Sequence, residues 1–97
     1  MNKNKLPQFL RPFLWSADIK DLDLKKDGVY IINQVLAYGN MKALKWLFSN
    51  YSTDEIKEVF LRRSMRIYRE SAFNFIKNIL LDIEREVDYK KYVAVPF

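Results

Sequence analysis

The chain has 97 residues, 49% apolar and 15% aromatic, with only 2 Gly and 3 Pro; this supplies one core and too little turn chemistry for a β-rich or disordered chain. Neither Cys nor His occurs, which excludes disulfides and thiolate chemistry and removes the commonest general base and metal ligand. The net charge of +5, from 17 basic and 12 acidic residues, is modest for a nucleic-acid binder, so its distribution carries more than its total.

These bounds predict a single helical domain spanning Met1 to Phe97. No apolar run approaches a membrane span and no signal-peptide core follows Met1, so the expected location is the cytoplasm, with no membrane partner.

In chain order, Met1 to Lys5 is a polar, basic start expected to fray. Leu6 to Trp15 reads LPQFLRPFLW. Pro7 suits the first turn of a helix and Pro12 interrupts one, so a short 3₁₀ or single-turn helix is expected. Phe9, Leu10, Phe13, Leu14 and Trp15 should pack on the main helices, since a free apolar patch of that size invites aggregation.

Ser16 to Asp27, SADIKDLDLKKD, is a polar connection. Its acids lack the ligand alternation, the Gly and the distal Glu of a calcium loop. Asp21-Leu22-Asp23-Leu24 resembles the metal-binding aspartate pair of nucleotidyltransferases, but no Gly precedes it to form a phosphate cradle. The acids are therefore expected to solvate the turn and cap a helix, with Asp23 or Asp27 near the N-terminus of the next one.

That next helix begins near Val29. Ile31, Ile32, Val35 and Leu36 recur at spacings of three and four and share one face. Gly39 suits a helix end at positive φ, and Asn40 suits the N-cap of a second helix. The second stripe is Met41, Leu44, Leu47, Phe48 and Tyr51. So short a joint predicts an antiparallel or steeply crossed helical hairpin, with Trp46, off the main stripe, free to cover a third element.

Ser52 followed by Glu55 is a capping box, and Asp54 adds favourable charge in the first turn. Ile56, Val59 and Phe60 form the apolar face of a helix expected to end near Ser64. Met65 to Arg69 reads as a basic connection. A last helix is expected from about Glu70 to Val87, with the stripe Ala72, Phe73, Ile76, Ile79, Leu80, Ile83 and Val87. The tail, Asp88 to Phe97, is rich in Tyr and Val and holds Pro96, so an extended arm is expected; it either covers the domain's own core or reaches a partner. The predicted architecture is thus all-α: a compact bundle of about four main helices, a short N-terminal helix and an extended C-terminal tail.

The strongest electrostatic feature is the segment Lys57 to Arg69, where Lys57, Arg62, Arg63, Arg66 and Arg69 face Glu58 alone. These five are the candidate interaction residues. They form a solvated helix end, a surface for an acidic protein partner, or a phosphate-binding turn; no standard recognition-helix pattern accompanies them. The opposite pole is Asp82, Glu84, Glu86 and Asp88, with Arg85 among them. Acids at a helix C-terminus oppose its dipole, so the basic segment of this chain or of a second copy is the expected counterpart, which makes self-association a possible role. No paired catalytic constellation, cofactor motif or metal-ligand set is present, and the chain is expected not to be an enzyme.

Leu6-Pro7, Phe9-Leu10, the aromatics Phe13 and Trp15, Leu22-Asp23, Ile31-Ile32, Val35-Leu36, Gly39-Asn40, Leu44, Trp46-Leu47, Tyr51, Ile56 and Arg63 together resemble a small uncharacterised bacterial helical domain family. The resemblance covers roughly Leu6 to Asn74. That family commonly continues into an Asn-Phe-Trp helix, whereas here Ile76 follows Asn74-Phe75. Its genes are often found beside nucleotidyltransferase-type toxins of the abortive-infection class. The resemblance implies a shared helical fold, no catalytic residues to carry over, and a role as antitoxin or accessory partner of such a toxin. Two functional classes are therefore expected: a protein-interaction module, or a DNA- or RNA-binding regulator acting through residues 57–69.

Overall fold

The middle of the central helix, α1 (Gly28–Tyr38), is buried on every side: each residue from Ile31 to Leu36 is at most 4% exposed. A helix enclosed all round needs neighbours all round. The N-terminal 3₁₀ helix (Gln8–Phe13), α2 (Met41–Asn50), α3 (Thr53–Arg62) and α4 (Glu70–Phe75) all pack against it. The computed structural model describes residues 6–15, 17–84 and 86–93. Among these no strand occurs, and the all-α expectation is borne out. The expected fraying of Met1 to Lys5 and the last residues of the tail, 94–97, lie outside the described residues, as do Ser16 and Arg85.

The N-terminal segment forms the expected 3₁₀ helix, with Pro12 inside it. Leu6, Leu10 and Leu14 are buried, and Phe9 and Phe13 pack at the core's edge. Trp15 differs from expectation. It stays 59% exposed, because the chain turns away just after Leu14, and it rests against Tyr38 instead of entering the core.

The connection to α1 is built by aspartates, as expected, but their bonds lie within the turn. Asp18 accepts from the Lys20 N–H at 3.2 Å. Asp23 accepts from the Lys25 and Lys26 N–H groups at 2.9 and 2.8 Å. Asp27 occupies the N-cap position of α1, yet its carboxylate turns back to accept from the Asp23 N–H at 2.8 Å and caps nothing in the helix.

The joint between α1 and α2 is as tight as expected, but for a different reason. Gly39 has φ −70° and ψ 155°, ordinary extended backbone. What requires glycine is space: a Cβ there would lie 2.5 Å from the Val35 carbonyl oxygen and 3.1 Å from both the Ala43 Cβ and the Val35 Cγ1. Asn40 caps α2 as predicted, accepting from the Ala43 N–H at 2.9 Å. Leu44 and Leu47 face the core, whereas Met41, in the first turn, is exposed. Tyr51 is buried and donates to the Leu24 carbonyl, and half-buried Trp46 meets its ring edge-on at 6.3 Å.

The capping box of α3 is present in both halves. Ser52 Oγ accepts from the Glu55 N–H at 3.1 Å, and the Ser52 N–H donates to Glu55 Oε1 at 2.9 Å. Ile56, Val59 and Phe60 are buried along its inner face.

The last helix is shorter than its pattern implies. The α-helix ends at Phe75 and passes into a π-helical stretch, Ile76–Leu80. Leu81 then bonds back to the Ile76 carbonyl at 2.8 Å and Ile83 to the Lys77 carbonyl at 2.7 Å. Asp82 sits between them with φ 49°. The wide turn shifts the apolar register: Ile76, Leu81 and Ile83 are buried, while Ile79, expected in the stripe, is 70% exposed. Among the described residues beyond, none is helical before a short 3₁₀ turn, Tyr89–Lys91. Asp82, Glu84, Glu86 and Asp88 therefore do not lie along a helix as expected, and any conflict with a helix dipole is confined to Asp82.

The first part of the tail covers the protein's own core. Tyr92 is fully buried, donates to the Phe60 carbonyl at 2.7 Å and accepts the Tyr68 N–H on its backbone carbonyl at 2.9 Å. Its ring lies 4.6 Å from Phe60 and 4.8 Å from Phe73. The four rings of Phe60, Tyr68, Phe73 and Tyr92 form one cluster that joins α3, the basic connection, α4 and the tail.

Candidate interaction surface

The basic connection after α3 is tied to α1 by the side chain of Asn33, which is buried there. Its amide nitrogen donates to the Val29 and Arg63 carbonyls at 2.9 and 3.0 Å. Its oxygen accepts from the Met65 N–H at 3.2 Å and the Tyr68 hydroxyl at 2.7 Å. A buried amide with all these sites engaged fixes the path of the chain around it. Burial, with the neighbouring Tyr92 hydroxyl, pushes the Tyr68 pKa up, so Tyr68 stays a neutral donor. The next residue, Gln34, also buried, donates to the Phe13 carbonyl at 2.8 Å and ties down the N-terminal 3₁₀ helix. Sequence reasoning passed over both residues. The available signal was a polar pair inside an otherwise apolar run, Val29 to Ala37, where each buried polar group must find a partner.

Pinned in this way, the basic segment sends its cations in different directions. Lys57 lies half-buried on α3. Arg62 is exposed and pairs with Glu58 one turn back, Nε to Oε2 3.4 Å. Arg63 lines a cleft of about 490 Å³ with Lys25, Glu55, Glu58 and Tyr51 between α1 and α3. Burial, then the charges of Glu55, Asp23 and Asp27, raise the pKa of that Tyr51. Arg66 is exposed. Arg69, also exposed, lines a separate groove with Ala37, Tyr38, Ala72 and Phe75. Among the described residues Arg63, Arg66 and Arg69 make no ion pair, and the acids at 82, 84, 86 and 88 do not pair with them. The five candidates thus do not converge on one spot: Arg63 and Arg69 open onto different hollows.

The Arg69 groove adjoins a second feature the sequence did not disclose. Trp15 meets Tyr38 edge-to-face, ring centroids 4.6 Å apart and planes at 62°. Trp15 also lines a shallow hollow with Arg11, Leu14 and Asp18. The Trp15–Tyr38 pair is therefore a ridge between two hollows, one carrying Arg11 and the other Arg69 with Phe75, itself 39% exposed. Aromatic and arginine side chains held this way are the usual energetic centres of protein interfaces.

A family model described as a family of unknown function, DUF6922, matches residues 9–60. The chain belongs to the DUF6922 family. No curated protein and no solved structure matches the chain. The DUF6922 match spans the N-terminal 3₁₀ helix, α1, α2 and most of α3, including Trp15, Asn33 and Tyr38; it stops before Arg62–Arg69, α4 and the tail. Among the described residues no group of three or more acidic side chains could hold a metal ion, and no helix is long and apolar enough to cross a membrane.

Proposed function

We propose that this DUF6922 chain is a non-enzymatic, cytoplasmic protein-interaction module that binds a protein partner through its Trp15–Tyr38–Phe75 face. The observation that carries this reading is the surface aromatic pair: exposed Trp15 meets half-buried Tyr38 edge-on, beside a groove lined by Ala37, Ala72 and exposed Phe75. Exposing such rings has a cost in water that a bound partner removes. The resemblance to domains encoded beside abortive-infection nucleotidyltransferases points to such a toxin as the partner, with this chain as antitoxin or accessory member acting by occlusion. The test is co-expression with the product of the neighbouring gene. A stable complex that restores growth, and that Trp15→Ala or Tyr38→Ala dissociates, is expected; pure proteins that fail to associate refute the toxin assignment.

A second reading is favoured by the exposed, unpaired Arg63, Arg66 and Arg69: a DNA- or RNA-binding regulator using the segment that runs from Lys57 to Arg69. Phosphate contacts would make affinity fall steeply with salt, and Arg63→Ala with Arg66→Ala would flatten the salt slope by about one unit per lost contact. Absence of binding to labelled duplex and single strands at low salt eliminates this reading.

A further inference from the structure

The two hollows beside the Trp15–Tyr38 ridge share an electrostatic character that narrows what can occupy them. Each holds one arginine, Arg11 in the first and Arg69 in the second. The one carboxylate on their walls is Asp18, and it is already engaged by the Lys20 ammonium at 3.8 Å and the Lys20 N–H at 3.2 Å. Neither arginine has an acidic partner among the described residues. The Arg69 groove, about 430 Å³, is lined by the small side chains of Ala37, Ser71 and Ala72 and by Tyr38 and Phe75, apolar surface enough to receive one apolar side chain.

We propose that this face receives a short acidic segment of a protein partner, with one apolar side chain seated between Tyr38 and Phe75 and flanking carboxylates on Arg69 and Arg11. The proposal rests on the interaction reading above and specifies the partner's chemistry. Both arginines repel a basic segment and offer a carboxylate a two-pronged contact. A single-stranded nucleic acid fits less well. Successive bases need parallel ring faces to stack on, whereas Trp15 and Tyr38 stand at 62° to each other.

The experiment selects a random peptide library on the full-length chain, then measures an enriched peptide by fluorescence anisotropy against wild type and variants. Enriched peptides should carry Asp or Glu on both sides of a Leu, Phe or Trp. Phe75→Ala and Arg69→Glu should each weaken binding by about tenfold or more, and Arg11→Glu by less, while Arg62→Glu, which lines neither hollow and is already paired with Glu58, stays within about twofold. Helical circular dichroism confirms that each variant is folded. Neutral or basic peptides, or no enrichment over a Phe75→Ala control surface, overturn the proposal. Binding lost in Phe75→Ala but unchanged in Arg69→Glu removes the acidic partner and leaves the aromatic interface standing. Low-salt binding of oligo-uridine or oligo-thymidine that Arg69→Glu abolishes assigns the face to nucleic acid and overturns the proposal as well.

Discussion

Replacing Asn33 by Leu would strip partners from the Arg63 carbonyl, the Met65 N–H and the Tyr68 hydroxyl at once. Of these only the Tyr68 hydroxyl is left fully buried, at a cost of about 1–3 kcal/mol, so a loss of about that size is expected, read as a fall in the urea midpoint. A loss below about 1 kcal/mol would mean that the amide does not hold the connection. Gly39→Ala tests a different constraint. The new methyl meets the Val35 carbonyl oxygen, so destabilisation of about 1–3 kcal/mol is expected even though φ is ordinary. The buried tyrosines give a pH dependence. Burial raises the pKa of both Tyr51 and Tyr68 above the usual value of about 10. Their folded pKa exceeds the unfolded one, so their contribution is intact below about pH 10 and is lost as pH rises beyond it. Tyrosinate absorbance and helical circular dichroism followed together should show part of the tyrosine signal appearing only as the helices are lost. Complete ionisation with the helical signal intact would contradict the burial.

At the scale of elements, starts and stops were the most readable features. The two N-caps, Asn40 and Ser52, act through short-range geometry that one residue type in one position is enough to imply. The end of the last helix was not readable. Its apolar spacing continues to Val87, but continuation is decided by where the chain must go to close the core, and here it turns at a π-helical stretch and a left-handed Asp82. An L-residue at positive φ is strained, and an acid beside a helix C-terminus is unfavourable. Asp82→Gly should therefore stabilise by up to about 1 kcal/mol. Thermal unfolding would show it, and a lowered midpoint would mean that the carboxylate has an unrecognised role.

For the molecule as a whole, the tail is part of the fold rather than an appendage up to Val93. Tyr92 closes the aromatic cluster over Phe60 and Phe73, so Tyr92→Ala should cost about 3–5 kcal/mol, in the range for deleting a buried aromatic ring. If chemical denaturation instead left stability unchanged, the tail would be dispensable to the core. Because Tyr68 and Tyr92 share this cluster, the same substitution should also loosen the basic connection, seen as faster amide exchange between Arg63 and Arg69.

The sequence by itself determined the all-α class, the α1–α2 joint and both caps, because apolar periodicity and capping chemistry act over one or two turns. It also marked Lys57, Arg62, Arg63, Arg66 and Arg69 as the concentrated charge, and exposure of the arginines followed from the cost of burying unpaired cations. Only the tertiary structure decided that Gly39 is kept for space, that Asn33 and Gln34 are internal ties, that the tail up to Val93 folds inward, and that Arg63 and Arg69 part into separate hollows. Each of these depends on atoms distant in the chain: Asn33 bonds Met65 and Tyr68, Gln34 bonds Phe13, and Trp15 meets Tyr38. No local pattern encodes such pairings, since they arise only when packing around α1 brings the partners together.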